Sequence, residues 1–101
     1  MARYRMEDGT IIDTSNAVTE WDDTRESDGS NMIGRNSRSQ WHDWTLYRSR
    51  RGRYYVEHKS RVQGERDRCE WVSPEEAARF LLIAREELPD DLKESAEQVS
   101  E

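Results

Sequence analysis

Residues 41–61 constrain this chain more than any other stretch. Trp41 to Arg50 and Arg53 to Arg61 are two strand-like runs set around Arg50-Arg51-Gly52. A glycine there suits the left-handed position of a three-residue hairpin loop with a bulge. Such a loop leaves one register: Ser49 opposite Arg53, Tyr47 opposite Tyr55, Leu46 opposite Val56 and Trp44 opposite His58. Successive strand residues point to opposite sides, so one face collects Trp44, Leu46, Tyr54, Val56 and His58. The other collects Tyr47, Arg51, Arg53, Tyr55, Glu57 and Lys59. A slip of one residue would exchange the two sets, so the apolar pattern itself specifies the pairing. The first set is the expected core face, the second a charged, aromatic surface.

That core face needs a cover, and the chain supplies one. Ser73-Pro74-Glu75-Glu76 reads as a capping box with proline at the first helical position. Ala77, Phe80, Leu81, Ala84 and Leu88 follow as an apolar stripe at helical spacing, widened by Ala78, Leu82 and Ile83, and Pro89 ends the helix. A third strand, Arg68 to Val72, follows the Gln63-Gly64-Glu65 turn, with Cys69 and Trp71 sharing a face. Trp44, Leu46, Val56, Trp71, Phe80, Leu81 and Ala84 are expected to be buried together. The fold class is α+β: a small antiparallel sheet with one main C-terminal helix, Pro74 to Leu88, packed on one face.

The flanks are less regular. Tyr4, Met6, Ile11 and Ile12 surround Asp8-Gly9, which reads as a hairpin closed by a tight two-residue turn. Asp13, Thr14 and Ser15 can cap a short helix carrying Ala17, Val18 and Trp21. Residues 22–40 offer only Met32 and Ile33 as apolar anchors and read as a long loop. Asp90-Asp91-Leu92 tucks back once. The expected organisation is a single domain over residues 1–92 and a flexible acidic tail over 93–101.

Composition limits what such a fold can hold. Leu, Ile, Val and Phe number 15 of 101 residues, below the roughly one fifth at which a chain of high net charge tends to disorder. Four Trp and four Tyr offset this, since each can bury about 150–250 Å². A thin aromatic core follows, and a large enzyme with a deep internal pocket is excluded. The net charge of -6 hides a pattern: residues 1–34 carry net -5, residues 35–68 net +6 and residues 69–101 net -7. Of the 16 basic residues 14 are arginine, the side chain whose planar fork matches carboxylate and phosphate. The first eight residues hold no apolar signal stretch, and Phe80 to Ala84, the longest apolar run, is far short of the ~20 residues that span a bilayer. Cys69 has no second cysteine to pair with. A cytoplasmic setting without membrane attachment is expected.

The runs Leu46-Tyr47-Arg48-Ser49-Arg50-Arg51-Gly52-Arg53-Tyr54-Tyr55-Val56-Glu57 and Trp71-Val72-Ser73-Pro74-Glu75-Glu76-Ala77-Ala78-Arg79-Phe80-Leu81-Leu82 resemble short uncharacterised bacterial proteins, some of them carried on mobile elements. The resemblance covers about half the chain. It implies the strand–strand–helix order and a bacterial cytoplasmic setting, and it carries no catalytic residues.

Candidate chemistry divides by residue type. His42, His58 and Cys69 lack the paired spacing of a zinc site, so no metal or other cofactor is expected. A small nuclease needs an acid and a base on one face. Glu57 and His58, like His42 and Asp43, are neighbours that a strand sends to opposite faces, so an enzyme is not expected. A small nuclease built on a long-range combination such as Glu57 with Arg53 stays as a further alternative. Single-stranded nucleic acid is the alternative partner, because Tyr47 and Tyr55 would stack bases beside Arg51, Arg53 and Lys59. The ordinary explanation of the same tyrosines is packing beneath the N-terminal hairpin, and a pI of about 5.0 is unusual for a nucleic-acid binder. The leading expectation is a non-enzymatic protein-binding module with a regulatory or inhibitory role, its tryptophans, tyrosines and arginines being the residues that dominate interfaces. An anti-defence inhibitor from a phage or plasmid fits the size and acidity. The expected binding residues are Tyr47, Arg51, Arg53, Tyr55 and Lys59.

Overall fold

In the computed structural model, which describes residues 3–99, β6 (His42–Arg48) and β7 (Tyr54–Ser60) pair antiparallel in the predicted register. At the turn the Gly52 N–H donates to the Ser49 carbonyl at 2.9 Å and the Ser49 N–H to the Arg53 carbonyl at 2.7 Å, with Gly52 at φ 82°. This is the three-residue loop with a left-handed glycine that the sequence implied. β8 (Arg68–Val72) pairs with β7, and β3 (Thr19–Asp22) with β6, so the sheet runs β3-β6-β7-β8. The fold class is α+β.

One face of the sheet meets α1 (Pro74–Ala84) and α2 (Lys93–Val99). Leu46, Tyr54 and Val56 bury there with Ala77, Ala78, Phe80, Leu81, Ala84, Leu92 and Ala96. The Ser73 hydroxyl accepts the Glu76 N–H at 3.1 Å and the Glu76 carboxylate accepts the Ser73 N–H at 3.0 Å, the expected capping box. Leu82 and Ile83 do not widen the buried stripe; both are exposed, because the sheet covers only one side of the helix.

The opposite face is covered as well. The hairpin β1 (Arg3–Arg5) and β2 (Ile11–Asp13) lays Met6 and Ile12 over Tyr47 and Tyr55. Trp71 lies opposite Tyr55 across the β7–β8 ladder, so it belongs to this second cluster and not to the helix core. Trp44 is only partly buried, edge-on to His58 with ring centroids 4.5 Å apart. The core is therefore two thin clusters on either side of one sheet.

Four expectations are corrected. The N-terminal turn has three residues: Gly9, at φ 87°, donates to the Met6 carbonyl, and the Met6 N–H donates to the Thr10 carbonyl. The short helix over Ala17, Val18 and Trp21 is instead a single 3-10 turn, Thr14–Asn16, capped by the Asp13 carboxylate, and then strand β3. Adding Trp21 to the sheet opposite Leu46 buries it better than one unsupported helical turn would. Helix α1 stops at Ala84 and not at Leu88. Arg85 turns left-handed, and its N–H and that of Glu86 return to the Leu82 and Leu81 carbonyls, closing a Schellman turn. Residues 93–99 of the supposed tail are α2, because Leu92 and Ala96, four apart, bury against α1. Residues 100–101 of that tail lie outside the described residues.

Residues 22–40 are not a bare loop. They hold the hairpin β4 (Arg25–Ser27) and β5 (Met32–Gly34), closed by Gly29-Ser30 with Gly29 at φ 102°. Its framework is polar. The Asp23 carboxylate accepts the Asn36 and Ser37 N–H groups and the Asn36 amide, whose nitrogen also donates to the Phe80 carbonyl at 3.0 Å. The Thr24 hydroxyl caps the Ala84 carbonyl at 2.8 Å. Among the described residues no helix is long and apolar enough to cross a membrane.

Candidate functional site

The five expected binding residues are not one surface. Tyr47 and Tyr55 do stack, with centroids 5.0 Å apart and rings 14° from parallel. Yet the hairpin above them leaves Tyr47 7% and Tyr55 1% exposed. The open stacking platform is absent because Met6 and Ile12 fill the space a base would take. Beneath the hairpin lies Glu57, 1% exposed, accepting hydrogen bonds from Tyr4 at 2.6 Å and Tyr47 at 3.0 Å. Burial and this carboxylate hold the Tyr4 and Tyr47 phenols neutral, well above their ordinary range. Burial pushes the neighbouring Cys69 thiol up to about 12, with Glu57 adding to the shift. Lys59 stands apart from the arginine turn, its Nζ 3.9 Å from Glu57.

Arg51, Arg53 and Tyr55 do come together, in a groove of about 380 Å³ between β2 and the β6–β7 turn. One wall is Thr10 to Asp13 with Asn16 and Ala17; the other is Ser49, Arg50, Arg51 and Arg53, with Tyr55 and Trp71 also lining it. The Arg53 guanidinium lies 3.6 Å from the Trp71 ring centre and 3.3 Å from the Asp8 carboxylate. Hydrogen bonds from Thr10 hold that carboxylate down to about 2. Asp13 is likewise occupied, accepting from Ser15 and lying 3.6 Å from Arg3. Arg50 and Arg51 have no ion pair among the described residues. Ile11, on the facing wall, is 61% exposed. The turn geometry explains the arginines: a bulged hairpin tip has no cross-strand neighbours to pair them.

The sequence reading missed Ile11, Arg50 and Trp71 as groove residues. A signal existed. Ile11 and Ile12 are consecutive in a strand, so one of them has to face away from the core.

A second cleft, of about 440 Å³, opens near the other end of β6. It gathers Asp22, Asp23, Arg25, His42, Asp43, Lys59 and Arg61. Here the charges satisfy one another. Asp43 is clamped between Arg61, with contacts of 3.0 and 3.1 Å, and Arg25, and its carboxyl is held below the usual carboxylate range, chiefly by Arg61. His42 bridges the Ser39 hydroxyl at 2.8 Å and the Glu65 carboxylate at 3.0 Å. That chain has the order of a nucleophile, base and acid. However, the Ser39 oxygen already accepts the Trp41 N–H, and neither Ser39 nor Glu65 lines the cleft.

Among the described residues no three His, Cys, Asp or Glu side chains converge as metal ligands. His58 and Cys69 point to opposite faces of the sheet, as their positions in the β7–β8 register require. No protein-family model, curated protein or solved structure matches the chain, so the reading of the site rests on its geometry.

Proposed function

We propose that this protein is a non-enzymatic binding module whose partner is another protein, held in the groove between β2 and the Arg50–Arg53 turn. The observation that carries this reading is the pair of unengaged arginines, Arg50 and Arg51, facing the exposed Ile11 across a groove that Trp71 also lines. Arginine, tryptophan and an apolar neighbour are the combination that concentrates binding energy at protein interfaces. A regulatory or inhibitory role, such as blocking a bacterial defence component, suits a small acidic chain. A bacterial cytoplasmic setting for that role is part of the same proposal.

Binding of single-stranded nucleic acid is less well supported. Its stacking residues are covered, and Arg53 occupies a face of Trp71. The experiment is an affinity pull-down from nuclease-treated bacterial lysate, comparing the native chain with an Arg50→Glu/Arg51→Glu variant. Retention of a protein by the native chain and its loss with the variant is expected. Capture that disappears on nuclease treatment, or that ignores the two substitutions, overturns the reading.

A further inference from the structure

The groove wall formed by β2 has a free backbone edge. Because the Met6 N–H donates to the Thr10 carbonyl at 2.8 Å, these two form a hydrogen-bonded pair. In an antiparallel ladder such pairs alternate with non-bonded ones. Arg5–Ile11 and Arg3–Asp13 are therefore non-bonded pairs and Tyr4–Ile12 a bonded one. Residues of a non-bonded pair turn their N–H and C=O away from the partner strand. Ile11 thus directs both groups, and Asp13 its N–H, away from β1. Among the described residues β2 has no strand on that side, and Ile11 has no backbone partner there. The residues bearing this edge, Thr10 to Asp13, form one wall of the groove.

Resting on the protein-binding reading, we propose that the groove takes an extended acidic peptide segment, added as a third strand along β2, with its carboxylates on Arg50 and Arg51. Backbone pairing to an exposed edge supplies affinity, and alternate side chains supply specificity. Charge decides the composition of the guest. Asp13 is occupied by Ser15 and Arg3, and Arg53 by Asp8 and Trp71, which leaves Arg50 and Arg51 as the charges seeking a partner. A guanidinium fork pairs with a carboxylate through two parallel hydrogen bonds. A nucleic acid would bring phosphates to the same arginines but has no amide edge for β2, and in the groove Tyr55 is covered and Arg53 lies over Trp71.

The test uses the full chain, isotopically labelled, titrated with a synthetic peptide of alternating Glu and Thr. Two control probes are the same peptide N-methylated at alternate residues and a single-stranded oligonucleotide of equal charge. Expected are slowed hydrogen exchange at the Ile11 and Asp13 amides and saturable binding. The Arg50→Ser/Arg51→Ser variant, which loses no side-chain hydrogen bond or ion pair among the described residues, and the N-methylated peptide should each bind about tenfold more weakly or worse. Ile11→Pro, which removes a donor only from the outward edge and leaves the ladder to β1 intact, should weaken the native peptide similarly. Absence of peptide binding, equal binding of the N-methylated peptide, or equal binding of the oligonucleotide overturns the inference. If the peptide fails while nuclease-treated lysate still yields an Arg50- and Arg51-dependent protein, the acidic-strand inference falls and the protein-binding reading survives. If that capture fails too, both fall.

Discussion

Arg85 sits where many helices place glycine. Its φ of 60° is left-handed, a conformation in which the Cβ approaches the following carbonyl and costs roughly 1–2 kcal/mol. The Schellman turn tolerates it because two returning N–H groups and the Thr24 hydroxyl satisfy the last carbonyls of α1. Arg85 is exposed and has no ion pair among the described residues. Arg85→Gly should therefore stabilise the protein by about 0.5–1 kcal/mol, the strain relieved less the entropy glycine adds to the unfolded chain. A higher urea midpoint at unchanged slope is the expected observation. Asp23 is the opposite case, a residue whose side chain does what a core would do elsewhere. Removing it strands the Asn36 and Ser37 amides, and Asp23→Ala should lose about 1–3 kcal/mol. Hydrogen exchange over residues 24–37 should rise more than over β6 and β7, since these bonds hold the β4–β5 hairpin against α1.

Among the elements, α1 carries the clearest sequence grammar and gives the sharpest test. Ser73→Ala should cost about 0.5–2 kcal/mol by freeing the Glu76 N–H. Glu76→Ala should interact with it in a double-mutant cycle, because each side chain serves the other's backbone. Strictly additive losses would mean that the two bonds act independently. Three of the hairpins share a cause as well. Gly9, Gly29 and Gly52 each take a positive φ at the turn. Gly29-Ser30, a glycine-first pair typical of a two-residue hairpin loop, closes β4–β5 within a stretch otherwise short of apolar residues.

For the whole molecule, the two-sided sheet makes stability depend on pH through His58. The imidazole is 8% exposed, packed edge-on to Trp44 and 2.9 Å from Glu70. Its pKa is lowered from the ordinary 6.5, first by burial and then by Arg68, while Glu70 pulls the other way. As pH falls below about 6.5 the unfolded chain takes the proton before the folded one does. Stability should therefore decline there and level off at higher pH. The carboxylates add a separate loss further down, below their ordinary 3.8, since Asp13, Asp28 and Asp43 are held low in the fold. Urea unfolding between about pH 7.5 and 5 should show the first decline, and His58→Gln should flatten it without touching the second. A flat native profile across that range would contradict the burial of a neutral imidazole.

The sequence by itself determined the register of β6 against β7, the strand β8, the capped start of α1 and the α+β class. These are local matters: a period of two, a glycine at a loop position and a capping box all act within a few residues. Only the tertiary structure decided that neither face of the sheet stays open. The set of Tyr47, Tyr55 and Glu57 looked like a surface because it alternates with the core face. A hairpin more than thirty residues upstream covers it, and no local pattern records that docking. Trp71 changed clusters for the same reason, following Tyr55 across the ladder. The β4–β5 region and α2 were hidden differently. The first is fastened by hydrogen bonds of Asp23, Thr24 and Asn36 with partners distant in the chain, and the second, among the described residues, by the burial of Ala96 and the preceding Leu92. Arg51 and Arg53 were legible as binding candidates from their chemistry. Their meeting with Ile11 and Trp71 in one groove was not, because it depends on where two separate hairpins come to rest.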